Sequence, residues 1–225
     1  MIRAVLFDVG DTLILGHPRL WLWPLLEQRG LEAKADPARL PQATKEAYQH
    51  YAAHHMQATD ETTALAFWRA FHREIMRGIG LEEHADEIAD YLAQNWQSPH
   101  IWPLAPGAKE VLAELKGLGF RLGVVSNWDW TLPGVLRATG LADFFDYIGA
   151  SALLGVAKPN PRFFHIVLDR LGVHPREALH IGDSEDDIQG AQAAGVRPVL
   201  FDAYGRNPAA IRDLNQVVVL ATGRA

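Results

Sequence analysis

Short apolar runs and helical stripes alternate along much of the chain. Ile2 to Phe7 is rich in apolar strand formers, and the turn-prone Asp8-Val9-Gly10-Asp11-Thr12 follows it. A strand buried on both faces reads this way. Phe120 to Val125, the shorter Tyr147-Ile148, Ala178 to Ile181 and Arg197 to Phe201 repeat the pattern, and Val217 to Leu220 reads as a last strand. Ala108 to Leu118, stopped by Gly119, and Ile188 to Ala194, stopped by Gly195, read as helices. Strands alternating with helices predict βαβ units and a parallel sheet covered on both faces. Ligands bind such sheets beyond the carboxyl ends of the strands, and Asp8, Ser126 and Asp183 sit at those ends.

The stretch from His17 to Pro103 has a different pattern. It has almost no β-branched runs and is rich in Ala, Glu, Gln, His, Leu and Trp. Trp21 to Gln28, Pro41 to Met56, Thr62 to Ile79 and Glu82 to Trp96 read as helices, with proline and glycine between them. The pattern therefore predicts a helical insertion between the first and second strands.

Composition narrows the function classes. Of 225 residues, 48% are hydrophobic and 21% charged, which fits a globular chain. A net charge of −6 argues against nucleic acid as a partner, because phosphate backbones require a basic footprint. With no cysteine, thiol nucleophiles, thiolate metal sites and disulfides are excluded. No apolar run is long enough to span a membrane, and the first residues lack the pattern of a secretory signal. A cytoplasmic monomer or homodimer with no membrane partner is expected.

Four short segments carry the candidate chemistry: Asp8 to Leu13, Ser126-Asn127, Lys158-Pro159 and Gly182 to Asp187. Each alone is an ordinary turn or helix cap. Together they bring a carboxylate, a hydroxyl, an ammonium and an acidic cluster to successive strand ends, a combination suited to phosphate and Mg2+. A phosphate monoester is anionic and repels carboxylates, so a hard divalent cation with oxygen ligands must neutralise both. Asp8 and Asp183 suit direct ligands, and Asp187 suits a supporting or water-mediated one. Lys158 supplies a point charge that holds Asp8 ionised. Ser126 and nearby backbone N–H groups suit the phosphate oxygens, while the Thr12 hydroxyl can fix the turn after Asp8.

These segments resemble, in order and spacing, the motifs of the haloacid dehalogenase superfamily. The resemblance rests on FDVGDTL at the start, VVSN at 124–127, KPNPRFF at 158–164 and HIGDSEDDIQGAQAAG at 180–195. It implies a Rossmann-like doubly wound core of residues 1–16 and 104–225, with a helical cap domain, 17–103, inserted after the first motif. It also implies Asp8 as nucleophile, with Ser126 and Lys158 completing the catalytic set. Thr12, Ser126, Asn127 and Lys158 would bind phosphate. Asp8, the Gly10 carbonyl, Asp183 and Asp187 would form the Mg2+ site. The expected activity is hydrolysis of a small phosphorylated metabolite through an aspartyl phosphate.

One departure matters. Phosphatases of this superfamily usually carry a general-acid Asp two residues after the nucleophile, and here that position is Gly10. Asp11 lies one position later, where its side chain is expected to turn away. The departure leaves open a metal-independent 2-haloacid dehalogenase, or a weak or silent binding protein. The Gly-Asp-x-x-x-Asp pattern at 182–187 favours the metal-dependent reading. Without an acid, aryl and acyl phosphates should outrun alkyl phosphates. His17 is a weaker candidate for a substrate contact, and Trp128 and Trp130 for the pocket mouth.

Overall fold

A computed structural model describes residues 1–223. Five strands form one parallel sheet in the order β3-β2-β1-β4-β5. They are β1 (Ala4–Phe7), β2 (Arg121–Ser126), β3 (Tyr147–Ala150), β4 (Ala178–Gly182) and β5 (Arg197–Leu200). The central β1 pairs in parallel with β2 (Leu6 opposite Gly123) and with β4 (Leu6 opposite His180). The chain winds outward through β2 and β3, then crosses to β4 and β5 on the other side. That reversal puts a crevice at the carboxyl ends of β1, β2 and β4.

The strand period of two assigns the two faces. In β1, Val5 and Phe7 join one apolar cluster and Ala4 and Leu6 the other. Ten α-helices complete the described chain. Four precede β2's own helix: α1 (Pro18–Gln28), α2 (Leu40–His54), α3 (Glu61–Gly78) and α4 (Ala85–Gln94). α5 (Ala108–Gly117) leads into β2, and α6 (Leu132–Ala138) and the short α7 (Ser151–Leu154) flank β3. α8 (Pro161–Leu171) and α9 (Glu185–Ala193) cover the Leu6 face, and α10 (Gln216–Thr222) packs on α5 on the other. α8 approaches the sheet closely because Gly149 has no side chain. A Cβ there would lie 2.8 Å from the Val124 carbonyl oxygen and 2.9 Å from Val167.

One prediction fails at the end of the chain. Val217 to Leu220 is not a strand but part of α10. Its β-branched run suggests extension, yet Val217 and Ala221, four apart, are the buried positions, and Gly223 ends the helix with a left-handed backbone. Tertiary packing against α5 overrides a weak local preference.

The helices between β1 and β2 do not form a separate core. Trp21, Trp68, Phe71 and Ile75 from that segment belong to the same buried cluster as Phe7, Val124 and Trp128. The two connections run side by side: Leu15 N donates to the Pro103 carbonyl (2.7 Å), and Ala105 N donates to that of Leu13 (2.9 Å). Further contacts hold the segment over the sheet. Trp130 N donates to the Ala58 carbonyl at 2.9 Å, and His55 Nε2 lies 3.1 Å from Ser151 Oγ. α3 starts on an Asp60/Thr63 capping box and is tied to α4 by the ion pairs Arg69–Asp90 and Arg73–Asp86. Among the described residues, no helix is long and apolar enough to cross a membrane.

Candidate active site

Asp8 follows β1 directly, and its N–H donates to the Ile181 carbonyl of β4 at 2.8 Å. This bond ties the residue after the central strand to its neighbour, leaving the carboxylate over the crevice. Lys158 arrives from the loop before α8. Asn127, at the end of β2, grips that loop twice: Lys158 N donates to Asn127 Oδ1 (2.8 Å), and Asn127 Nδ2 donates to the Lys158 carbonyl (3.1 Å). The Lys158 ammonium is thereby set between two carboxylates, 2.7 Å from Asp8 Oδ1 and 2.6 Å from Asp187 Oδ1.

Asp187 is fully buried and heavily bonded. Its Oδ1 also meets His180 Nε2 at 2.7 Å. Its Oδ2 accepts from Ser184 Oγ (2.5 Å) and Ser184 N (3.2 Å), half of the capping box that starts α9. All four of its lone-pair directions have donors. Asp183 differs: among the described residues its carboxylate receives no hydrogen bond, yet carboxylate oxygens of Asp8, Asp183 and Asp187 all lie within 4.8 Å of one another. This is the one such acidic cluster with metal-ligand geometry among the described residues.

The electrostatics follow from crowding. Burial and the neighbouring Asp8 and Asp187 charges push Asp183 up to about 8. Burial also raises Asp8, against the opposing pull of Lys158. Burial alone would raise Asp187 as well, but Lys158 and His180 hold it well below the usual carboxylate range. The Lys158 ammonium is stabilised above its ordinary value by Asp187 and Asp8, which outweigh its burial. Three acids thus share one lysine and a histidine. A hard divalent cation would relieve that imbalance, and the free carboxylate of Asp183 beside Asp8 fits one.

A cavity of about 310 Å3 opens from these groups up under the helices. Its floor carries Asp8, Gly10, Asp11, Ser126, Asn127, Lys158 and Asp183, and its walls are largely aromatic. Thr12 is fully buried, lies outside the lining, and its hydroxyl has no hydrogen-bond partner, so, contrary to expectation, it neither lines the phosphate position nor fixes the turn. Asp11 lines the floor, but its Oδ1 accepts from Gly16 N (2.8 Å) and Tyr204 Oη (2.6 Å). His17 caps α1, its Nδ1 accepting from Arg19 N, and is not a lining residue. Trp128 lines the cavity, whereas Trp130 packs on Trp96.

Sequence reasoning missed several of these residues. His180 had a signal, a polar side chain within an apolar strand. Ser184 had another, the cap spacing Ser-x-x-Asp before a helix. Tyr48, His72 and Tyr204 had none, because only the tertiary fold brings them to the site.

The haloacid dehalogenase-like hydrolase family matches residues 2–195. The chain belongs to this family. A mouse relative, haloacid dehalogenase-like hydrolase domain-containing protein 3, is 31% identical over 94% of this chain and 86% of its own. The phosphoserine phosphatase of Thermus thermophilus is 32% identical over 89% of this chain and 88% of its own. A crystal structure of a dehalogenase superimposes with a TM-score of 0.71 at 23% identity, covering 97% of this chain and 96% of that one. The structural likeness establishes the fold and does not choose between a phosphate ester and a 2-haloacid as the substrate. The chain is a hydrolase of this family, with relatives named as phosphatases.

Proposed function

We propose that the protein is a Mg2+-dependent phosphatase acting on a small phosphate monoester through Asp8. In this reading residues 17–103 serve as a cap over a core of 1–16 and 104–225. The observation that carries it is the clustered Asp8, Asp183 and Asp187 with a single buried lysine set between two of them. A carboxylate cluster of this kind suits a phosphate dianion only with a cation present. Asp8, Asp183 and the Gly10 carbonyl would hold Mg2+. Asp187, its oxygens already bonded, would support the site by positioning Lys158. Bound there, the ion would neutralise charge on the phosphate and the carboxylates.

The chain's own groups account for the remaining chemistry. An Asp8 oxygen attacks phosphorus; the ester P–O bond breaks, and its electron pair leaves on the alcohol oxygen, which takes a proton from water. Lys158 keeps Asp8 ionised and faces the charge of the transferring group. The Ser126 hydroxyl, in the same cavity floor as Asp8, would donate to a phosphate oxygen. Asn127 acts mainly by fixing the Lys158 loop. Water then attacks the aspartyl phosphate at phosphorus, releasing orthophosphate and restoring the carboxylate.

The dehalogenase reading has one observation in its favour, the apolar cavity wall. It does not use the free Asp183 carboxylate. Incubation with a phosphate ester and Mg2+, with and without EDTA, separates the two: phosphate release that EDTA abolishes supports the phosphatase. Halide release from a 2-haloacid that EDTA spares would replace it.

A further inference from the structure

The cavity wall above Asp8 is apolar and carries no charge. The rings of Trp68, Trp102 and Trp128 meet one another, with centroids 5.7, 5.5 and 6.3 Å apart. The polar atoms of Trp102 and Trp128 are turned into the protein. The indole N–H groups of Trp102 and Trp128 donate to the Trp96 carbonyl and to Thr131 Oγ1. The hydroxyls of Tyr48 and Tyr51 donate to the carbonyls of Gly16 and Asn127. On this wall two buried polar atoms lack a hydrogen-bond partner, Nε1 of Trp68 and Nδ1 of His72. Lys158 is the one Lys or Arg lining the cavity, and both of its carboxylate partners are already within bonding distance.

We propose that the substrate is the phosphate monoester of an uncharged aromatic alcohol, with the ring among Trp68, Phe71, Trp102 and Trp128 and the phosphate at Asp8. The proposal rests on the phosphatase reading and names its substrate class. Aromatic faces favour a flat apolar ring. A carboxylate or ammonium on the leaving group would lie unpaired against that wall, which is costly. A cavity of about 310 Å3 is at the small end of ligand sites and suits roughly one or two fused rings. A second observation points the same way. Gly10 offers no acid, and an aryl oxide needs none: it leaves with the P–O electron pair as the Asp8 oxygen bonds phosphorus, then takes a proton from water. His72 Nδ1 remains for one hydrogen bond to a ring substituent.

The test is kcat/KM with Mg2+ for 1-naphthyl phosphate, phosphoserine and phosphoglycolate, in the wild type and in Ile101→Lys. Ile101 is a half-buried cavity residue where a lysine would bring a cation to the wall. The expected result is a preference for the naphthyl ester of at least about 100-fold, narrowed at least about tenfold in Ile101→Lys. Should that variant fail to fold, the wild-type ratio alone decides. Phosphoserine or phosphoglycolate turned over as well as the naphthyl ester would overturn the proposal and leave the phosphatase reading standing. Phosphate released from none of the three would overturn the phosphatase reading, and the substrate class with it.

Discussion

Tyr204 donates its hydroxyl to Asp11 Oδ1 at 2.6 Å, joining the loop after β5 to the turn after β1. The same oxygen accepts from Gly16 N, and the Tyr204 oxygen also accepts from His17 N at 3.3 Å. Asp11 is the nearest acid in sequence to the missing proton donor, and it is committed to holding the chain where it leaves for the helical segment. Its backbone has a φ of 50°, a left-handed conformation that Asp and Asn tolerate better than most side chains.

Asp11 is therefore expected to be structural. Asp11→Asn keeps the acceptor and the backbone preference and should leave kcat within about threefold. Asp11→Ala loses both bonds and adds strain, and should lower stability by about 1–3 kcal/mol. Chemical denaturation and steady-state kinetics on the two variants check this. A large loss of kcat in Asp11→Asn with unchanged stability would make Asp11 the acid after all.

Gly10 has room for the acid it lacks. A Cβ there would meet only the Trp128 ring, at an ordinary 3.8 Å, and the backbone is not left-handed. Gly10→Asp should fold and should accelerate alkyl phosphates selectively, by about 10²–10⁴ if the new carboxyl reaches the leaving oxygen. The ratio of kcat/KM for a sugar phosphate to that for p-nitrophenyl phosphate is the measurement. A wild type that already treats the two alike would show that the proton has another source.

Acid stability should report on His72. Burial lowers this imidazole to about 3, so it is neutral in the folded protein. In the unfolded chain it binds a proton below about 6.5. The unfolded state therefore holds more protons between these values, and stability is lost as pH falls through that window. From pH 6.5 to 5 the His72 contribution is a loss of about 1.6 kcal/mol. Thermal melts across that range should fall less steeply in His72→Phe than in the wild type, and equal slopes would be the contrary result.

Metal binding should be visible in thermal melts. A hundredfold excess of Mg2+ over Kd adds about 2.7 kcal/mol to the wild type. Asp183→Asn should abolish that shift. In EDTA above pH 8 the same variant should be the more stable protein, because it removes a crowded, unpaired charge. A wild-type melt unmoved by millimolar Mg2+ would contradict the proposed site.

The strands at the centre of the sheet were legible because burial on both faces leaves a distinct apolar signature. Asp8 and Asp183 were legible because each directly follows an apolar strand, whereas Lys158, expected at a strand end, lies in the loop between α7 and α8. The roles of Asp187 and Asn127 were less so. Asp187 reads in sequence as a supporting or water-mediated metal ligand; it lies in the acidic cluster with Asp8 and Asp183, and its oxygens are also bonded to Lys158, His180 and Ser184, which no local pattern reveals. Asn127 reads as a phosphate ligand, but both ends of its amide hold the Lys158 loop. The aromatic wall was hidden for a different reason. Trp68 and Trp102 look like ordinary core in a helical pattern, and whether a ring fills a core or faces a cavity depends on packing that no local pattern encodes.

Asp8 bears the whole proposed reaction, so the most direct measurement is phosphate release from an aryl phosphate with Mg2+ by the wild type and by Asp8→Asn. The variant keeps the size of the side chain and should keep the fold, which a melting curve verifies. The wild type should turn over, and Asp8→Asn should fall to the uncatalysed background. Phosphate release by Asp8→Asn at the wild-type rate would contradict Asp8 as the nucleophile.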